Sequence, residues 1–117
     1  MGWNISSDRA VYLQLVEEIQ MRIICGLYPL GEKLPSVRDL AEEASVNPNT
    51  MQKALQELER IGLVFPQRTS GRFITNDIEL VLNIKNQFAK QHIDDYIAKM
   101  LKLGFSKKEA VEKVQNN

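Results

Sequence analysis

The chain has 117 residues, 15 basic and 15 acidic side chains, one cysteine and 44% hydrophobic content. Those figures point to one compact soluble domain with at most a small appendage. Zero net charge excludes a binder that holds nucleic acid by bulk charge alone, and the single Cys25 excludes an internal disulfide, in keeping with a reducing cytoplasm.

No apolar run is long enough to cross a membrane. The start, "MGWNISSDRA", lacks the basic-then-apolar order of a signal peptide. Its Met-Gly, supported only at position 6, reads as a cloning remnant or an ordinary start rather than a myristoylation signal. The first helix is expected over Ala10–Cys25, where Val11, Leu15, Ile19 and Ile23 recur every four residues beside Tyr12 and Val16. Asp8 or Ser7 is its expected cap and Gly26 its stop. Cys25, inside "RIICGL", reads as a small core residue. "LYPLGEKLPS" is punctuated by Pro29, Gly31 and Pro35 and reads as a connector.

Ser36, with Asp39 three residues on, opens a short helix over Val37–Ala44. Ser45-Val46-Asn47 leaves room only for a tight turn. Asn47 then caps a helix over Pro48–Ile61, with Pro48 at the first helical position and Gly62 as the stop. Met51, Ala54, Leu55 and Leu58 fall on one buried stripe of it. "LVFPQRTSGRFIT" reads as a β-hairpin whose tip carries Arg68, Gly71 and Arg72.

From Asp77 to about Leu103 the pattern is helical again. Val81, Ile84 and Phe88 share one face, while Ile93, Tyr96, Ile97 and Met100 share another. The stripe therefore rotates near Gln91-His92, which predicts a bend or different partners for the two halves. His92 has no neighbour at metal-ligand spacing, and no metal or cofactor is expected. Gly104 stops this helix, and "SKKE" is a capping box for a last short one bearing Val111 and Val114.

The element order predicts a mainly α fold with a small β-hairpin. It is a winged helix-turn-helix over residues 1–76 followed by a two-helix tail over 77–117. With the stripe of the Pro48–Ile61 helix buried, Asn49, Lys53, Gln56 and Arg60 point outward and Gln52 flanks them. Asn and Gln can pair with adenine edges, and Lys can reach guanine or phosphate. The bland alternative is a solvated face. The neighbouring elements favour DNA. Ser36 and Arg38 stand at a helix N-terminus suited to a phosphate. Arg68 and Arg72 flank a tip suited to a groove or backbone. Arg38 can also pair with Glu42 at i,i+4.

The stretch "GEKLPSVRDLAEEASVNPNTMQKALQELERIGLV" resembles the DNA-binding signature of the GntR family of bacterial transcription regulators. The likeness spans Tyr12 to about Ile74. It rests on the Gly-Glu-Lys-Leu-Pro-Ser-x-Arg run, the Leu-Ala pair and Val-Asn-Pro-Asn-Thr in order. "VYLQL" is similar to that family's Pro-Ile-Tyr-x-Gln-Ile opening, with Ala10 in place of Pro. The resemblance implies DNA contacts by Arg38 and by Pro48, Asn49, Thr50, Gln52 and Lys53, at a helix start shaped by Asn47. The family's wing pattern, Gly-x-Gly-Thr, meets Thr69, Ser70, Gly71 and Arg72 here, so its first Gly and its Thr are replaced.

The short helical tail is similar to that of the YtrA-type subfamily. That implies a homodimer joined through the tail, a palindromic double-stranded DNA operator, and links to transporter operons. Leu80, Val81, Ile84, Phe88, Ile93, Ile97 and Met100 are the expected interface, because two helices cannot bury stripes on both sides by themselves. The expectation is a cytoplasmic, dimeric repressor of its own operon, answering through the tail to a small-molecule effector still to be identified, with no membrane partner. A winged helix used only for protein contacts is the alternative, and predicts an apolar or acidic outer face. No nucleophile–base pair, carboxylate pair, phosphate loop or metal cluster points to an enzyme.

Overall fold

In chain order the elements are α1 (Val11–Ile24), α2 (Val37–Ala44), α3 (Pro48–Ile61), β1 (Val64–Gln67), β2 (Gly71–Ile74), α4 (Ile78–Lys102) and α5 (Lys107–Gln115). The structure, a computed structural model, describes residues 2–117. It divides into two units, one reaching to Leu82 and the other spanning Asn83–Asn117. None of its helices is long and apolar enough to cross a membrane among the described residues.

In the first unit α3 packs on α1, α2 and β1. The stripe of Met51, Ala54, Leu55 and Leu58 has no exposed surface at all. It meets a core to which α1 gives Leu15, Ile19 and Ile23, and α2 gives Leu40, Ala41 and Ala44. These are the helical spacings of the sequence turned inward.

The helix ends follow local chemistry. Ser36 Oγ accepts the Asp39 N–H at 3.1 Å, and Asn47 Oδ1 accepts the Asn49 N–H at 2.7 Å. Ser45 closes α2 in the left-handed region, φ 56°. Its N–H donates to Glu42 O, and that of Val46 to Ala41 O, so the orphan carbonyls of α2 are satisfied within the turn. This arrangement leaves only Ser45, Val46 and Asn47 between α2 and α3.

The start of α1 differs from expectation. Its N-cap is Ala10, with no side-chain cap. Asp8 instead accepts a bond from Ser6 Oγ. The buried Gln14 ties down the leading segment, since its amide donates to Ser6 O and Arg9 O and its Oε1 accepts the Ser6 N–H. Ahead of it, Trp3 stacks on the Arg22 guanidinium at 4.1 Å. Cys25 is not core. It is exposed, because α1 ends at Ile24 and the chain turns at Gly26 before Cys25 can face inward.

The hairpin β1–β2 is antiparallel, in the register Val64↔Ile74 to Gln67↔Gly71. The stretch read as a connector supplies a further edge. Lys33 bridges Phe73, Leu34 N–H donates to Arg72 O at 2.8 Å, and Ile74 N–H donates to Glu32 O at 2.8 Å. β2 is thus paired on both sides, and Pro66 sits on the outer strand, where its missing N–H is harmless.

In the second unit, the C-terminal part of α4 and α5 are tied by Tyr96 Oη, which donates to Ala110 O at 2.8 Å over a fully buried Ala110. α4 is one unbroken helix of 25 residues, about 37 Å long. Leu80, next to the first stripe, lies against Gly62, and Tyr96, on the second stripe, bonds α5. Ser106 and Glu109 form a complete capping box for α5.

Two outcomes test these local arguments. Gly31 has φ +77°, and a Cβ there would lie 2.6 Å from Asn76 Oδ1, whereas one at Gly26 (φ +83°) meets open space. Urea unfolding is expected to show Gly26→Ala losing the left-handed penalty of about 1–2 kcal/mol, and Gly31→Ala the same penalty plus the small cost of turning the exposed Asn76 side chain aside. The Ser106 N–H holds the Glu109 carboxyl below the usual carboxylate range. Because the folded form is the more acidic, this support is present above the ordinary pKa and is lost as pH falls through the lowered one. Amide shifts of Ser106 are expected to follow that titration, and Glu109→Gln to abolish it.

Candidate nucleic-acid interface

The outward face of α3 is built by the burial of its other side. Asn49, Lys53, Gln56 and Arg60 are exposed, and Thr50 and Gln52 are half-buried beside them. Pro48 and Asn47 stand exposed at the start. Two of these groups have partners already. Lys53 Nζ lies 3.9 Å over the Tyr12 ring, which holds its ammonium against α1. Arg60 pairs with Glu57 and holds that carboxyl below its usual range, so this end of α3 carries little free charge.

Charge placement narrows the face further. Residues 1–82 hold three more acidic than basic side chains, and residues 83–117 the reverse. Carboxylates claim Arg9, Arg22, Arg60 and Arg72 through Glu17, Glu18, Glu57 and Glu59. Lys53 is engaged by Tyr12. Among the described residues of the first unit, only Lys33, Arg38 and Arg68 remain as cations with no partner, and all three are exposed. The Arg38–Glu42 pair weighed from the sequence does not form. Arg38 stands in the first turn of α2, beside the capped N-terminus at Ser36.

The wing is arranged differently from the sequence expectation. Arg68 is exposed at its tip, and Gly71 opens β2 with φ +88°. Arg72 turns back to α3. Its Nε and Nη2 lie 3.4 and 3.3 Å from Glu59 Oε1, and its side chain is only 16% exposed. Lys33, which the sequence placed in a connector, lies next to the wing through its bridge to Phe73. A Gly-Pro-punctuated segment pairing with a strand some forty residues away has no local signature that reveals it.

The tail residues divide in two. Val81 and Ile84 are buried at 8% and 5% exposure within the chain, so their side chains offer no surface to a second copy. Leu80, Phe88, Ile97 and Met100 are half-buried. Ile93 is 59% exposed, and Leu101, Leu103 and Val114 are more than half exposed as well.

A three-helix unit with a short left-handed turn, a capped polar helix start and a two-stranded wing defines a winged helix-turn-helix regulator. The family model for bacterial regulatory proteins of the gntR family matches residues 11–74, and the chain belongs to that family. It is 35% identical over 115 residues to the uncharacterized HTH-type transcriptional regulator YhcF of Bacillus subtilis, covering 98% of this chain and 95% of that protein. It is also 35% identical over 98 residues to the HTH-type transcriptional repressor YtrA of the same organism, covering 79% of this chain and 75% of that one. A GntR family transcriptional regulator from Listeria monocytogenes superposes with a TM-score of 0.88 at 34% identity, over 97% of this chain and 99% of that one. The chain is therefore a DNA-binding transcription regulator of the YtrA-like kind and not an enzyme.

A double-mutant cycle on Glu59→Gln and Arg72→Ala checks the wing geometry. A coupling of about 0.5–2 kcal/mol in unfolding free energy is expected for this partly buried pair, against near zero for two independent surface charges.

Proposed function

We propose that this regulator acts in the cytoplasm as a homodimeric repressor of its own operon, binding a palindromic double-stranded operator. In this reading α3 enters the major groove N-terminus first. Asn47 and Pro48 set where the helix begins. Asn49, Thr50, Gln52 and Lys53 face base edges and nearby phosphates. The α2 N-terminus, with Ser36 and Arg38, takes a backbone phosphate. Arg68 and Gly71 carry the wing tip along the duplex, with Arg72 close behind.

The observation that carries the reading is the distribution of unpaired charge. In a unit with an excess of acidic residues, the cations left free are those of the helix-turn-helix and its wing. A protein-contact module would need no such sorting. The repressor reading is supported by the likeness to YtrA, a protein named a transcriptional repressor.

Dimerisation is supported by the apolar side chains left uncovered in the tail. Ile93 and Leu101 are more than half exposed, Phe88, Ile97 and Met100 are half-buried beside them, and Val81 and Ile84 are buried within the chain. A two-fold protein matches a palindromic site. A small-molecule effector would act through this tail, by binding one arrangement of the two heads better than the other.

Two measurements test the proposal. Anisotropy with promoter DNA over a salt series should show Arg38→Ala weakening binding to all sequences and shallowing the salt slope. Asn49→Ala and Gln52→Ala should each cost roughly 1–3 kcal/mol at the operator and relax its sequence preference. No change from any of the three would remove this face from DNA reading. In sedimentation the parent chain should run as a dimer, and Ile93→Asp, at an exposed position that cannot upset the monomer core, should run as a monomer with weakened operator binding.

A further inference from the structure

We infer that Lys33 supplies the backbone-phosphate contact at the wing, and that Arg72 positions the wing rather than touching DNA. The inference rests on the DNA-binding reading above and adds a residue that lies in the stretch read from sequence as a connector.

Lys33 is carried to the wing by backbone pairing. It bridges Phe73, and its neighbour Leu34 donates to Arg72 O at 2.8 Å. Its side chain then crosses Gly71. A Cβ built on Gly71 would stand 3.2 Å from Lys33 Cε and 3.9 Å from Nζ. The stem thus runs through the space that the glycine leaves empty. The ammonium ends beside the first residue of β2, next to the tip formed by Arg68, Thr69 and Ser70. It has no carboxylate, no acceptor and no ring among the described residues, and it is exposed. A lysine whose backbone is tied to β2 and whose head is free is suited to a phosphate oxygen, which it meets as a point charge without needing a bidentate fit.

Arg72 has the opposite circumstances. Both its Nε and its Nη2 are directed at Glu59 Oε1, and its side chain is mostly buried. To reach a phosphate it would have to abandon a carboxylate in a partly desolvated site. Its charge is already balanced, so it releases few counterions on binding. What it does offer is a fixed link between β2 and α3, so that the wing follows the recognition helix into the duplex.

Counterion release separates these roles. Each phosphate contact contributes about 0.9 to the slope of log K against log salt. Full-length parent, Lys33→Ala, Lys33→Arg, Arg38→Ala, Arg72→Ala and Glu59→Gln proteins would be titrated onto a mixed-sequence DNA duplex by anisotropy over a salt series. Lys33→Ala is expected to lower affinity several-fold and to shallow the slope by about one contact, with Lys33→Arg restoring both. Arg72→Ala is expected to weaken binding while keeping the parental slope, and Glu59→Gln, which unpairs Arg72, to loosen the wing without shallowing the slope. Thermal melting is expected to show that Lys33→Ala folds as the parent does.

A parental slope for Lys33→Ala beside a shallowed one for Arg38→Ala would overturn the Lys33 assignment and leave the DNA reading standing. A slope loss for Arg72→Ala equal to that of Lys33→Ala would return the wing contact to Arg72. Failure of the parent to bind any duplex, even at low salt, would sink the DNA reading itself.

Discussion

Four side chains of α3, Met51, Ala54, Leu55 and Leu58, have no surface left to solvent, and the rest of the first unit is arranged around that fact. A helix that buries one stripe completely has no freedom to roll about its axis, because rolling would expose leucine on one side and drive amides inward on the other. The direction of Asn49, Gln52 and Lys53 is therefore a consequence of core packing. The turn before α3 fixes the remaining variable, the place where the helix starts. Ser45 accepts a left-handed backbone there, and Asn47 caps the next helix two residues later. Together the stripe and the turn present the N-terminal end of α3 in one pose, the pose that the proposed groove contact needs.

Electrostatics then sorts the side chains around that pose. The head carries more acid than base, a poor composition for holding a polyanion through bulk charge. On the proposed reading, the acids neutralise the cations that do not touch DNA. Glu17, Glu18, Glu57 and Glu59 do that for Arg9, Arg22, Arg60 and Arg72. The free cations are left at the start of α2 and about the wing. On that reading, a head with this balance favours discrimination over raw affinity.

The wing depends on backbone pairing as much as on charge. β2 is held by β1 on one edge and by Glu32–Leu34 on the other, so it is a central strand despite the shortness of the hairpin. That explains how a tip rich in small polar residues keeps a definite position. The tail is the converse case. Its two helices are joined through Tyr96 and Ala110, yet they leave Ile93, Leu101 and Leu103 largely in water. Their exposure is what the proposed dimer would have to cover.

The sequence by itself determined the local features. Helix starts at Ser36, Asn47 and Ser106, the stop at Gly62, the stripe of α3 and the hairpin all depend on neighbours within a few residues, and each was legible in the amino-acid order. So was the outward face of α3, since helical periodicity alone places Asn49 and Lys53 opposite Leu55. Only the tertiary structure decided which of these groups are free. Arg72 looked like a wing cation until Glu59, thirteen residues earlier, was seen beside it, and Lys33 looked like a linker residue until β2 paired with it. Cys25 read as core because its neighbours are apolar, and its exposure follows from where α1 happens to end. Val81 and Ile84 read as free for a partner because nothing local says what else covers them. Pattern along a chain reports which face a residue takes, through the fixed geometry of helix and strand. What stands opposite that face is set by contacts between distant segments, and those exist only once the chain has folded.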